Sequence, residues 1–457
     1  MTQTRASGVS NESLDWSSYP LLDALRNRRS RRFGTGMRID SGPLAYASKH
    51  VPQPLTEEEQ AILVFAAGGI TGPALDDWDW GKGNGGNVMA GLVGRTASSS
   101  NGIQSISVVM IDDYGTYLMR KPSDLDEQET RELIDLINRG EFADAMRRTR
   151  VQISDGRSAP PVGSPYNLTG NKWSLHTPGG TYFLLVADTS FLLINTLLEL
   201  LNEEMAIFAL DERRLWFPAG IGRFAKSKGG HLDDDPRNLK ALPIGLGERL
   251  IAETVAVEQG MMLQNLSLVC QALGLGGFPH FTGHDTVWFE ALGFRMAEQR
   301  ISRYFHLPKP AAWWLRARGK DAPIKYPVGL ERDGTVLLKP YCPPYYPSME
   351  AAVRAVVDRK FGPEGIYRSG VTQSGWRDPQ AVAAELPTIS ESAIEATVTC
   401  CEYLYRRYGR FPTTLPPFHT LMGFQAVHLD LDFYDELYHP GVVTDTHRHH
   451  NELWHSQ

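Results

Sequence analysis

Arg26, Arg28, Arg29, Arg31 and Arg32 crowd into the stretch "RNRRSRRFG" of a 457-residue chain whose formal net charge is -7. Guanidinium groups present planar forks of donors that match phosphate or carboxylate oxygens two at a time. In an acidic protein such a cluster points to one small anion; a nucleic-acid binder would show a basic face over a whole domain. Three further stretches hold polar groups at close spacing. "RTASSSNGIQ" (95–104) offers hydroxyls, amides and backbone donors just before an apolar strand, and by itself also reads as an ordinary polar turn. "LGLGG" (273–277) allows close approach of backbone to a ligand, or simply ends a helix. The C-terminal end carries His428, Asp430, Asp432, Asp435, His439, His447, His449, His450 and His455. His447 and His450 would share a helix face, but no H-E-x-x-H pattern occurs and chain ends are commonly solvated, so no metal site is expected there. No triad or dyad stands out, and no catalytic residue is assigned.

The elements that must position these groups are legible in part. Arg28 and Arg32 lie at i,i+4 and would share a face if the helix at 19–29 continued. Thr56 and Glu59 form a capping-box pair ahead of Ile62, Phe65 and Ala66, and Gly68-Gly69 stops that helix. "SISVVMI" and "GTYLM" around "DDYG" predict a β-hairpin, and "DEQETRELIDLINRGEF" an amphipathic helix. "TYFLLVA" predicts a strand buried on both faces, followed by an apolar helix from Phe191 to about Leu210. Residues 211–247, polar and Gly- and Asp-rich, suit an exposed excursion or lid. Ile251, Val255, Met262, Leu266, Val269 and Leu273 then form the core stripe of the strongest helix. From about residue 316 short strands, a Pro-rich passage and two helices suggest a covering arm. "VHLDLDF" alternates as a strand would, with Val427, Leu429, Leu431 and Phe433 on one side. Four cysteines at irregular spacing predict buried free thiols. The N-terminus lacks the apolar core of a signal peptide, and no uninterrupted apolar run reaches the roughly 18 residues of a membrane helix. A cytoplasmic protein with neither a membrane nor a nucleic-acid partner is the expectation.

The order of the arginine-serine cluster, "PLTEEEQAILVFAAGGITG", "GRTASSSNGIQSISVVMI" and the helix carrying "QNLSLVCQALGLGG" resembles the FMN-dependent nitroreductase superfamily over roughly residues 18–315. "RTASSSNG" after "GGITG" is particularly similar to the azoline-oxidising dehydrogenase branch. The resemblance implies an α+β, three-layer fold with a central, mostly antiparallel sheet flanked by helices. It divides the chain into an N-terminus (1–17), an FMN-binding domain (18–315) and a C-terminal α/β extension (316–457). It also implies that Arg28, Arg29, Ser30 and Arg32 hold the flavin phosphate and polar edge. Ser98, Ser99, Ser100, Gly102 and Gln104 would bond the isoalloxazine and ribityl chain, and Leu275, Gly276 and Gly277 would pass near the reactive ring face. Ser98 stands where the family usually has Pro, and Gly102 where Asn often sits. The Lys325-Tyr326 pair follows the long helix, whereas the dehydrogenases carry theirs before it, and it takes no role here.

The function so implied is hydride transfer between FMN and a small organic substrate in a ping-pong cycle with NAD(P)H. The protein binds and shields the cofactor, which carries the chemistry. Alternatives are a dehydrogenase or oxidase that passes electrons to oxygen, and a non-catalytic flavin-sequestering protein. Members of the family are intertwined homodimers, which would explain why the two longest apolar helices carry more apolar surface than one core face needs.

Overall fold

A computed structural model describes residues 16–75, 93–99, 102–163, 165–166, 169–237, 239–282, 284–385 and 388–455, a mixture of helices and strands. The central sheet takes its strands from both ends of the chain. Its main strands are β1 (Ile106–Ile111), β2 (Gly115–Met119), β3 (Arg150–Asp155), β4 (Thr181–Asp188), β5 (Gly276–Phe281) and β6 (Met422–Val427). They lie in the order β5-β6-β4-β1-β2-β3, each pair antiparallel, and the short strand Phe418–His419 adds to β4.

β1 and β2 form the expected hairpin, with Val109 opposite Leu118, because Asp112 accepts from the Tyr114 and Gly115 amides and closes the turn. β4 is buried at every position, and its side chains serve two cores by alternation. Phe183, Leu185 and Ala187 join a core with helices α2 (Glu57–Gly68), α5 (Thr189–Leu200) and α6 (Ile244–Leu273). Tyr182, Leu184 and Val186 face the other way, onto Trp288, Phe289 and Leu330. Helix α4 (Phe142–Thr149) adds Phe142 and Met146 to the first core, α3 (Glu127–Asn138) opens on the capping box of Asp126 and Glu129 and packs Leu133 and Leu136 with Ala145 of α4, and α1 (Leu21–Asn27) carries the arginine cluster at its end.

Four expectations change. Residues 316–457 do not stand apart as an extension: β6 sits inside the sheet between β5 and β4. Val353 and Val356 of α7 (Met349–Phe361), with Cys400 and Leu404 of α8 (Glu391–Tyr408), belong to the main core. The 211–247 excursion is likewise anchored, with Ala219, Ile221 and Leu232 fully buried. The apolar helix after β4 ends at Leu200, ten residues early, because Asn202 accepts from the Glu204 and Met205 amides and turns the chain into the strand Phe208–Asp211. The predicted strand at 427–433 stops at Val427, because Asp430 accepts from the Phe433 amide and starts helix α9 (Leu431–Leu437). All four cysteines are free and buried. Among the described residues no helix is long and apolar enough to cross a membrane.

Candidate functional site

The arginine cluster straddles the end of α1. Arg28 leaves the helix with ψ 127°, so the chain runs extended beyond it and Arg28 and Arg32 share no helical face. Each arginine then meets a different fate. Arg26 forms an exposed pair with Asp23, and Arg29 donates to the backbone carbonyls of Arg26 and Arg28. Arg31 turns inward. Its Nε donates to Val442 O at 2.6 Å, Nη1 to Gln271 Oε1 at 3.0 Å and Nη2 to Asn27 O at 3.3 Å. Burial pulls its pKa down to about 10, still a cation at neutrality.

Arg32 lies half-buried with Nη1 on Asn171 Oδ1 at 2.9 Å. Its guanidinium carbon is 5.0 Å from the Trp173 ring centroid and 5.4 Å from that of Phe278. Phe33 stacks on Phe433 at 4.0 Å, and the Tyr434 hydroxyl accepts from the Arg32 and Phe33 amides. These groups wall a cavity of about 490 Å³ that includes Arg29, Ser30, Arg32, Trp173, Tyr434 and Tyr438. Sequence reasoning missed the aromatic half, since Trp173 and α9 stand more than a hundred residues from the arginines with no local signal between them. A second cavity of about 480 Å³ holds Arg120, Lys121 and Arg359. Arg120 is already paired with Glu129, and Arg359 donates to the Tyr341 hydroxyl. In the first cavity, among the described residues, the cations meet only neutral acceptors, Arg29 the carbonyls of Arg26 and Arg28 and Arg32 the Asn171 amide.

The other predicted residues divide. Leu275 and Gly276 come beside the cluster: a Cβ on Gly276 would meet Leu429 and the carbonyl of Arg31. Its space, and that of Gly277, is filled by the chain's own atoms, Phe424 and Cys270 in the second case. Packing thus accounts for both glycines, and β5 rather than an open loop carries them. The serine loop lies elsewhere. Asn265 Nδ2 donates to Thr96 O, Gln104 N to Ser99 Oγ, and Ser105 Oγ to Glu258 Oε2. Thr96 and Ser105 therefore meet α6 at Asn265 and Glu258, whereas the arginines meet α6 at Gln271. Six to thirteen helical residues separate them, about 9–20 Å at the usual helical rise. Ser98, Ser99, Gly102 and Gln104 are absent from the cavity wall, and Ser100 lies outside the described residues.

The histidine-rich end is not a solvated tail. His428, His447 and His450 are all buried, the last two on helix α10 (Asp445–His455). His428 Nε2 lies 3.1 Å from Glu59 Oε2, and His450 Nε2 lies 2.7 Å from Glu59 Oε1. Thr56 donates to the same carboxylate from its amide (2.7 Å) and hydroxyl (2.9 Å). Burial would raise the Glu59 pKa, but His428 and His450 outweigh it and hold the carboxyl well below the usual range. Gly274, at φ +78°, ends α6 where a Cβ would lie 2.7 Å from the His450 Cβ and the Thr446 carbonyl. The helix terminus and the docking of α10 both require glycine there.

His280 lies beside Phe278, and His176 beside Trp288. His176 and His280 pack on Tyr182, and burial pulls their pKa values down to about 3 and about 4. Both are neutral in the fold near neutrality, whereas in the unfolded chain they take up a proton near 6.5. Their contribution is whole above pH 6.5 and is lost as the pH falls from 6.5 towards 4, at up to about 1.4 kcal/mol per group per pH unit. Urea midpoints should therefore drop between pH 7 and 5, less so in His280→Asn. Equal slopes for the two proteins would contradict this.

No protein-family model matches the chain, and no curated protein matches its sequence. Among solved structures, a Ralstonia eutropha JMP134 protein provisionally described as a nitroreductase aligns with it at 14% identity and a TM-score of 0.29. The alignment covers 65% of this chain and 81% of that one. A likeness that distant carries no argument about fold or activity.

Proposed function

We propose that the protein is a flavin mononucleotide-dependent oxidoreductase whose cofactor phosphate is received by the cavity at Arg29, Ser30 and Arg32. The observation that carries this reading is a cation and an aromatic wall in one cavity: the Arg32 guanidinium lies against Trp173, with Tyr434 and Tyr438 close by. A phosphate on a planar ring system asks for that combination, guanidinium forks for the anion and flat apolar faces for the ring. Asn171 and Trp173 fix the Arg32 rotamer, so little entropy is lost on binding. Bound flavin would supply hydride transfer at its N5, with NAD(P)H as reductant and a small organic molecule as its partner.

The serine loop fits this reading only across two subunits. α6 exposes Leu246, Leu250, Val257 and Met261, a stripe that a second copy would cover. We place the serine loop's ligand contacts in a homodimer built on that face. Val257→Glu with Met261→Glu should then yield monomers by light scattering; an unchanged mass in solution would reject that face.

The cofactor test is an absorbance spectrum of untagged protein before and after anaerobic NADPH or NADH. A flavin band that bleaches is expected. Arg29→Ala with Arg32→Ala should weaken FMN binding by about 100-fold through loss of charge-assisted hydrogen bonds. Failure of the wild type to bind added FMN would falsify the proposal.

A further inference from the structure

We infer that Glu59, His428 and His450 form a binding site for a divalent transition ion, zinc in the first place, which clasps the C-terminal helix to the core. The inference is independent of the flavin reading, and none of its three ligands lines that cavity. The three ligand atoms, one from each residue, lie within 4.8 Å of one another, and all three residues are buried.

The donor set is the first argument. Two neutral imidazoles and one carboxylate are a usual complement for zinc, and they leave a fourth position for water. Calcium and magnesium, which prefer all-oxygen shells, are disfavoured.

The geometry is the second argument. Both imidazoles turn their Nε2 atoms onto one carboxylate, with ring planes 85° apart and centroids 4.9 Å apart. Ligand atoms around a tetrahedral zinc at the usual bond lengths are about 3.3 Å apart. The ring nitrogens sit on different oxygens of the carboxylate, His450 Nε2 on Oε1 at 2.7 Å and His428 Nε2 on Oε2 at 3.1 Å, so whichever oxygen binds the ion lies close to that value from one of them, and the three ligand atoms stay within 4.8 Å. On binding, each imidazole exchanges its Nε2–H for the Nδ1–H tautomer, so the ring nitrogen facing the ion carries a lone pair and no proton leaves the protein.

The support around the ligands is the third argument. The carboxylate is aimed by Thr56, whose amide and hydroxyl both donate to Oε2, and by its place in the first turn of α2. Such outer contacts are what hold a metal ligand in one orientation. Gly274 leaves room for the His450 Cβ at the end of α6. The ligands come from α2, from the residue that follows β6 and from α10, so the ion would close loops of several hundred residues. It would also steady the 440–444 segment, which Arg31 and Gln271 grip through Val442 O and Thr444 Oγ1.

The test uses the untagged full-length chain, stripped with a chelator and titrated with Zn²⁺ and Co²⁺. Elemental analysis should find about one ion per chain, and Co²⁺ should develop the visible d–d absorption of a low-coordinate N/O site. His450→Ala and His428→Ala should each lower affinity by about 10²-fold or more, while His449→Ala, an exposed neighbour on the same helix, should leave it unchanged. Zinc should also slow proteolysis after residue 438 in the wild type but not in His450→Ala. If a histidine variant fails to fold, the cobalt titration of the wild type still decides. Stripped wild type that takes up neither ion, or His450→Ala that binds as tightly as the wild type, would overturn the inference and leave a hydrogen-bonded clasp.

Discussion

Glu59→Ala is expected to cost the fold about 4 kcal/mol, the sum of a lost helix cap and of buried donors left without an acceptor. In the native chain this one carboxylate accepts from the Thr56 amide and hydroxyl and from both imidazoles. Losing the cap alone removes about 1 kcal/mol, and each stranded buried donor adds roughly 1–3 kcal/mol before relaxation. Glu59→Gln keeps the volume and one acceptor oxygen and should cost about half as much. Urea denaturation at pH 7 reads both. A Glu59→Ala protein within 1 kcal/mol of wild type would mean that α10 is not held through this carboxylate. Because the Glu59 carboxyl is held below its ordinary 4.5, its stabilisation is whole above that pH and lost as the pH falls below it. The pH profile of Glu59→Gln should therefore be flatter than that of wild type on the acid side.

Arg31→Ala should be nearly as damaging, at about 3 kcal/mol, and should act at a distance from its own backbone. The guanidinium holds α1 through Asn27 O, α6 through Gln271 Oε1 and the C-terminal segment through Val442 O. Alanine leaves these acceptors without their donor, at about 1–3 kcal/mol for the buried Gln271 Oε1 and less for the two part-buried carbonyls. Arg31→Lys keeps the charge but not the planar fork, so it should recover less than half of the loss. Proteolysis is the informative readout beside denaturation. Cleavage should appear first within 438–455, because Tyr438, Pro440, Gly441 and Val442 line the cavity and the segment is pinned by Arg31 and His450. Global loosening with no preference for the C-terminal end would show that Arg31 stabilises without fastening. For flavin binding the contrast with Arg32 matters: Arg32→Ala should weaken the ligand and leave the fold nearly unchanged.

Within one run of arginines, the roles were thus set by where the chain goes next. The type and spacing of the residues suggest an anion site at 28–32, and of the four residues named there Arg29, Ser30 and Arg32 line a cavity. Arg28 is not among them, because the helix that would have aligned it with Arg32 ends one residue earlier. Arg31, which no sequence pattern distinguishes from its neighbours, became the fastening because Gln271 and Val442 happen to face it. The serine loop reads in sequence as a polar turn before a strand, yet its position along α6 puts it away from the arginine cavity.

What the sequence determined by itself is local. The Thr56–Glu59 capping box, the hairpin closed by Asp112, the doubly buried β4 and the stripe of α6 all follow from contacts within a few residues or from a single hydrophobic period. Tertiary structure decided the rest, for reasons of chain separation. β6 enters the middle of the sheet from the last tenth of the chain, a pairing that no period of its own could reveal. Glu59 reads in sequence only as a cap, and His428 and His450 only as polar residues near a terminus. They lie 369 and 391 positions from the carboxylate they meet, and only burial of all three in one core makes them a site.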